Sequence, residues 1–198
     1  FVARFERTRE EELSIEEYLA ECKRNRVAYA SAAERMLQAI GEPQTVDTRN
    51  DPRLSRLFAN KVIKIYPAFA EFYGMEDAIE QVVSYFRHAA QGLEEKKQIL
   101  YLLGPVGGGK SSIAERLKQL MQEVPFYAIK GSPVNESPLG LFDAIEDGPI
   151  LEKEYGIPRR YLQRVLSPWA VKRLEEFGGD IRKFKVIKRY PSVLKQVG

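Results

Sequence analysis

Histidine, cysteine and tryptophan occur once each in 198 residues, and the scarcity of the first two closes whole classes of function. The lone cysteine, Cys22, permits no internal disulfide and points to a reducing, cytoplasmic setting. Within its helix it reads as a small packing residue. The lone histidine, His88, cannot build a histidine-based metal cluster, and it reads as a surface or dipole-compensating residue near a helix end. No apolar run approaches the roughly 18 residues that a membrane-spanning helix needs. Phe1–Glu12 is charged throughout and carries no signal-peptide pattern. A chain that opens on Phe1 is expected to begin inside a longer one. The net charge of +3 is too small to imply a nucleic-acid partner. What is present, 44% hydrophobic and 30% charged residues, is the composition of a globular domain.

One stretch carries chemistry. Gly104-Pro105-Val106-Gly107-Gly108-Gly109-Lys110-Ser111 fits G-x-x-x-x-G-K-[ST], the phosphate-binding P-loop. The apolar run Ile99–Leu103 before it reads as a buried strand. Ile113, Leu117, Leu120 and Met121 after it share one helix face. Glycines let backbone N–H groups turn inward around phosphates, and the start of a helix adds unpaired N–H groups and a positive dipole end. Lys110 is the expected catalytic cation, reaching the β- and γ-phosphates. Ser111 is the expected Mg²⁺ ligand, and Ser112 follows it in the cradle. The expectation is ATP with Mg²⁺.

The rest of the chain frames this loop. Ser14 and Glu17 have capping-box spacing and open a helix over Ile15–Asn25; a second runs from about Val27 to Ile40 and ends at Gly41 and Pro43. Residues 42–73 are a basic connector with apolar anchors. Gly74–Gln91 is amphipathic, with Ile79, Val82, Val83 and Phe86 at helical spacing. Phe126–Ile129 reads as a second strand, so that strand, helix and strand form the βαβ unit of a parallel sheet. Residues 131–149 look loop-like. Ile150–Tyr155 is a short helix, Ser167-Pro168 opens another, and Phe184–Tyr190 reads as a strand. The expected division is a helical region with connector at 1–65 and a nucleotide-binding domain at 66–198. Arg182–Gly198 holds six cations and no acid. Sparse aromatic interleaving and the lack of a nucleic-acid motif argue against RNA or DNA there.

A turning-over P-loop enzyme also needs an apolar strand ending in Asp or Glu to order Mg²⁺. Leu141-Phe142-Asp143 and Ile150-Leu151-Glu152 are too short for it, so that strand is expected beyond Gly198 and this piece alone is expected to be inactive. No H-R-D, D-F-G or V-A-I-K signature of ordinary protein kinases is present.

Longer stretches carry a family resemblance. Tyr66–Phe69, Phe72–Glu76, His88–Leu103 with the P-loop, Glu152–Leu162 and Phe177–Asp180 resemble the bacterial PrkA family, known as serine protein kinases. The resemblance covers nearly the whole chain. It implies an AAA-type ATPase domain, here truncated: a parallel sheet flanked by helices, with an N-terminal helical attachment. It also implies protein substrates phosphorylated on serine, a ring-like homo-oligomer of the full-length chain, and a phosphotransfer part lying C-terminal. Around Gly131-Ser132 the chain looks a few residues shorter than the family pattern. By position in AAA-type domains, Tyr73, Gly74 and Met75 are the implied adenine side. Two other readings stay open: a mechanochemical ATPase that remodels or degrades protein clients, and a binding module regulated by its nucleotide state.

Overall fold

The computed structural model describes residues 11–191, apart from 51, 60, 93–98, 106, 163 and 164. In chain order these form β1 (Glu11–Leu13), α1 (Ile15–Arg24), α2 (Ala32–Ile40), β2 (Gln44–Asp47), α3 (Pro52–Phe58), β3 (Val62–Ile65), α4 (Glu76–Ala90) and α5 (Lys110–Met121). There follow β4 (Phe126–Ile129), α6 (Gly148–Tyr155), α7 (Pro168–Glu176) and β5 (Val186–Arg189). They gather into two compact units: residues 11–30 with 125–191, and residues 31–124. The division expected at residues 65 and 66 runs through the second of these.

The first unit is built on a three-stranded sheet of order β1-β5-β4, antiparallel throughout. β4 has the sequence Phe-Tyr-Ala-Ile, and its buried residues suit a covered strand. α1 starts where Ser14 closes a capping box. Ser14 Oγ accepts from Glu17 N at 3.1 Å, and Glu17 Oε2 accepts from Ser14 N at 2.7 Å. Ile15, Tyr18, Leu19 and Cys22 then recur on one face and are buried with Tyr127, Ile129, Leu139, Ile157 and Val186. Tyr18 is fully buried, and its hydroxyl donates to Ala28 O at 3.1 Å, so the polar tip is satisfied inside the core. Burial pushes the Cys22 thiol up to about 12, which keeps it a packing residue and not a nucleophile. Ser14→Ala is expected to cost about 1 kcal/mol, read as a lower thermal midpoint by circular dichroism.

The second unit is mainly helical. α2 packs on α4 and α5, and Met36, Ile40, Ile79, Val82, Val83, Ile113, Leu117 and Leu120 form its core with Tyr66 and Phe69. The single helix expected over Val27–Ile40 is broken. Arg26–Tyr29 is a 3₁₀ turn, and Ser31 starts α2 with its own capping box to Glu34. The connector is more ordered than its composition suggests, since β2 pairs antiparallel with β3 and α3 lies between them in the chain.

The expected parallel sheet is not found: among the described residues both sheets are antiparallel. β4, expected to lie parallel to Ile99–Leu103, pairs with β5 instead. Ile99–Leu103 takes no strand assignment. Leu100 and Leu102 pack against the helical core, whereas Ile99, Tyr101 and Leu103 are 90, 77 and 80% exposed. The side chains alternate as in a strand, but no described segment supplies the backbone partners that would make it one.

Candidate phosphate-binding site

α5 begins abruptly at Lys110. Its N-cap is Gly109, in the left-handed region at φ 74°, and no side chain caps the helix. Ile113 N already bonds Gly109 O at 2.9 Å, so the first-turn N–H groups of Lys110, Ser111 and Ser112 have no intrahelical carbonyl. Among the described residues the helix therefore opens on donors with no helical partner and on a positive dipole end. Only a glycine adopts this φ readily, and space matters as well: a Cβ on Gly109 would lie 2.8 Å from Met75 Sδ.

The loop before α5 is drawn in by its own lysine. Lys110 Nζ donates to Gly104 O at 2.7 Å and to Pro105 O at 2.5 Å. Pro105 O also accepts from Gly108 N at 3.1 Å, making a tight turn through Gly107 at φ 80°. The ammonium is thus already held over the loop, and phosphate oxygens would offer it stronger, charge-assisted acceptors than these carbonyls. Ser111 and Ser112 are exposed at the helix start. Val106 lies outside the described residues.

The expected adenine side divides. Met75 is brought to the loop, its thioether resting against Gly109. Gly74 N donates to Glu76 Oε1 at 3.3 Å, and the Tyr73 ring is 87% exposed. Beside them opens a cavity of about 320 Å³, lined in part by Lys64, Tyr66, Phe69, Phe72, Tyr73 and Glu76. Two fixtures missed by sequence reasoning frame it. Arg116 on α5 donates from Nε to Ala68 O at 2.7 Å, tying the helix to the turn that bears Phe69. Tyr66 donates to Glu80 Oε2 at 2.5 Å, and Lys64 pairs with Glu80 Oε1 at 2.8 Å. Partial burial raises the Glu80 carboxyl, but hydrogen bonds from Lys64 and Tyr66 and the charges of Lys64 and Arg87 outweigh it and hold it below the ordinary carboxylate value. A lowered folded-state value stabilises the fold at neutral pH, and that contribution is lost as the pH falls through it. These bonds span 14 to 48 residues, so no local spacing announces them.

Asp143 is bonded within its own turn. Its Oδ1 accepts from Ile145 N and Glu146 N at 2.7 and 2.8 Å, and the Glu146 and Ile145 backbone bonds hold its carboxyl below the usual range. No group of three or more metal-ligating side chains occurs among the described residues. Nor is any described helix long and apolar enough to cross a membrane.

A family model for the PrkA AAA domain matches residues 13–198. The chain belongs to this family. It is 66% identical over 198 residues to the serine/threonine kinase YeaG of Escherichia coli K12, covering 98% of this chain and 31% of that protein. The protein named ATP-dependent protease PrkA from Bacillus subtilis is 33% identical over 210 residues, with the same coverage of each chain. The chain thus spans about a third of the length of the curated relatives it matches. No solved structure matches it.

Proposed function

We propose that this PrkA AAA domain holds ATP and Mg²⁺ at residues 104–112 and forms the nucleotide-binding part of a serine protein kinase. The observation that supports it most is the Lys110 ammonium, suspended over a glycine loop at the uncapped start of α5. Backbone N–H groups of Gly107, Gly108 and Gly109 would take phosphate oxygens, together with those of Lys110, Ser111 and Ser112. Lys110 would neutralise the β- and γ-phosphates, and Ser111 would give its hydroxyl oxygen to Mg²⁺. Adenine would lie on the side of Tyr73, Gly74 and Met75. Bound Mg²⁺ would supply charge neutralisation at the transferring phosphoryl group. In this reading Ile99–Leu103 is a central strand whose parallel neighbours come from the remaining length of the intact protein. Slow amide exchange at residues 100–103 in the intact chain is the result expected; exchange as fast as in an unfolded peptide would contradict it.

Ser111→Ala is expected to leave metal-free ATP binding nearly unchanged while removing most of the gain on adding Mg²⁺. Titration calorimetry with and without the metal checks this.

The kinase activity is carried over from the YeaG relatives' name. The second reading, an ATP-driven protease or remodeller, is favoured by the name of the B. subtilis relative. One experiment separates them. The intact protein, wild type and Lys110→Ala, is incubated with γ-labelled ATP and a protein substrate. Label on serine in the wild type alone supports the kinase. Cleaved peptides without label would overturn it in favour of the protease.

A further inference from the structure

We propose that Glu76 reads the amino group of the adenine ring, so that the cavity beside it selects 6-aminopurine over 6-oxopurine nucleotides. The proposal rests on the phosphate-binding reading of residues 104–112 and adds a base-specificity residue to it.

Position comes first. Met75 touches Gly109 of the loop, and Tyr73 and Glu76, close on either side of Met75 in the chain, both line the cavity. The base side and the phosphate side therefore share one short run of backbone. Shape is the second argument. The cavity, about 320 Å³, lies at the small end of ligand sites and is mainly apolar. Tyr66, Phe69 and Phe72 contribute to its walls, and the exposed ring of Tyr73 stands at its rim. A flat, apolar-faced ring suits such a slot.

Chemistry makes the choice of ring. Lys64 also borders the cavity, but its ammonium is engaged by Glu80. Glu76 is different. Its Oε1 accepts from Gly74 N, while Oε2 is covered and takes no hydrogen bond among the described residues. A covered acceptor without a donor is costly, and a ligand that brings the donor relieves that cost. The terminal carboxylate torsion of glutamate is soft, so a small rotation presents the oxygen to the cavity. A carboxylate accepts and does not donate. The 6-amino group of adenine supplies N–H donors, whereas the 6-oxo group of hypoxanthine or guanine would set acceptor against acceptor.

The test compares ATP with inosine triphosphate, which carries oxygen in place of the 6-amino group. Both are titrated with Mg²⁺ into the intact protein by calorimetry. The wild type is expected to bind ATP about 10- to 100-fold more tightly, the value of one hydrogen bond to a charged group. Glu76→Gln, whose carboxamide can donate as well as accept, should bring the ratio within about threefold. Glu76→Asp keeps the charge, draws it back by one methylene, and should lower the ratio too. Lys110→Ala should weaken both nucleotides alike and leave their ratio unchanged. Equal wild-type affinities would overturn the proposal even if the variants failed to fold. So would a wild-type ratio retained in Glu76→Gln at an unchanged melting temperature. Failure of Lys110→Ala to weaken either nucleotide would overturn the phosphate reading and this proposal with it.

Discussion

Replacing Lys110 with alanine is expected to weaken ATP binding by the intact protein at least about a hundredfold, with little change in thermal stability. The two halves of this outcome have separate causes. Among the described residues the ammonium bonds the carbonyls of Gly104 and Pro105 alone, and these contacts are exposed. Water replaces such bonds at little cost, so the fold should barely register the loss. Phosphate oxygens are different acceptors. A charge-assisted bond contributes about 1.5–3 kcal/mol, and losing two of them corresponds to at least about a hundredfold in affinity. Calorimetric titration checks the affinity, and a thermal melt checks the stability. Lys110→Arg should not rescue binding, because a planar fork cannot fold over the loop as a compact ammonium does.

Gly109→Val is expected to damage both stability and binding. A β-branched residue at φ 74° is strained by about 1–2 kcal/mol, and its Cβ would meet Met75 Sδ at 2.8 Å and Cε at 2.9 Å. Forcing extra atoms into a filled space typically costs a further ~1–3 kcal/mol, so a total of roughly 2–5 kcal/mol is expected. The two causes can be separated. Met75→Ala removes the crowding and leaves the dihedral strain. The double variant Gly109→Val/Met75→Ala should therefore recover part of the lost stability and not all of it. Chemical denaturation of the four proteins in this cycle reads the coupling. A loss under about 0.5 kcal/mol in Gly109→Val would show that the loop does not hold this geometry.

The elements read correctly from sequence are those whose signals are local. Ser14 and Glu17 mark the start of α1, and Ser167-Pro168 marks that of α7. The spacing of Ile79, Val82 and Val83 marks the buried face of α4. The glycine-rich loop falls directly before α5, as its composition requires. Ser31 and Glu34 show that an available signal can be overlooked, because their capping-box spacing breaks what reads as one helix. Strand pairing is different in kind. β1 is three residues long, and its partner β5 lies more than 170 residues away, so neither periodicity nor propensity links them. The parallel expectation came from strand-helix-strand order around the loop, and that order does not say which strand β4 will meet. The site divides in the same way. Lys110, Ser111 and the glycines follow from the motif, whereas Arg116 and Glu76 acquire meaning only through Ala68 and a cavity that folding creates.

The central claim, that nucleotide phosphates sit at residues 104–112, is tested most directly by amide hydrogen exchange on the intact protein with and without ATP and Mg²⁺. Bound phosphates would hold the backbone N–H groups of Gly107, Gly108 and Gly109 and of the first turn of α5. The peptide spanning residues 104–112 should then become strongly protected in the wild type and not in Lys110→Ala. Unchanged exchange across that peptide at saturating ATP would contradict the account.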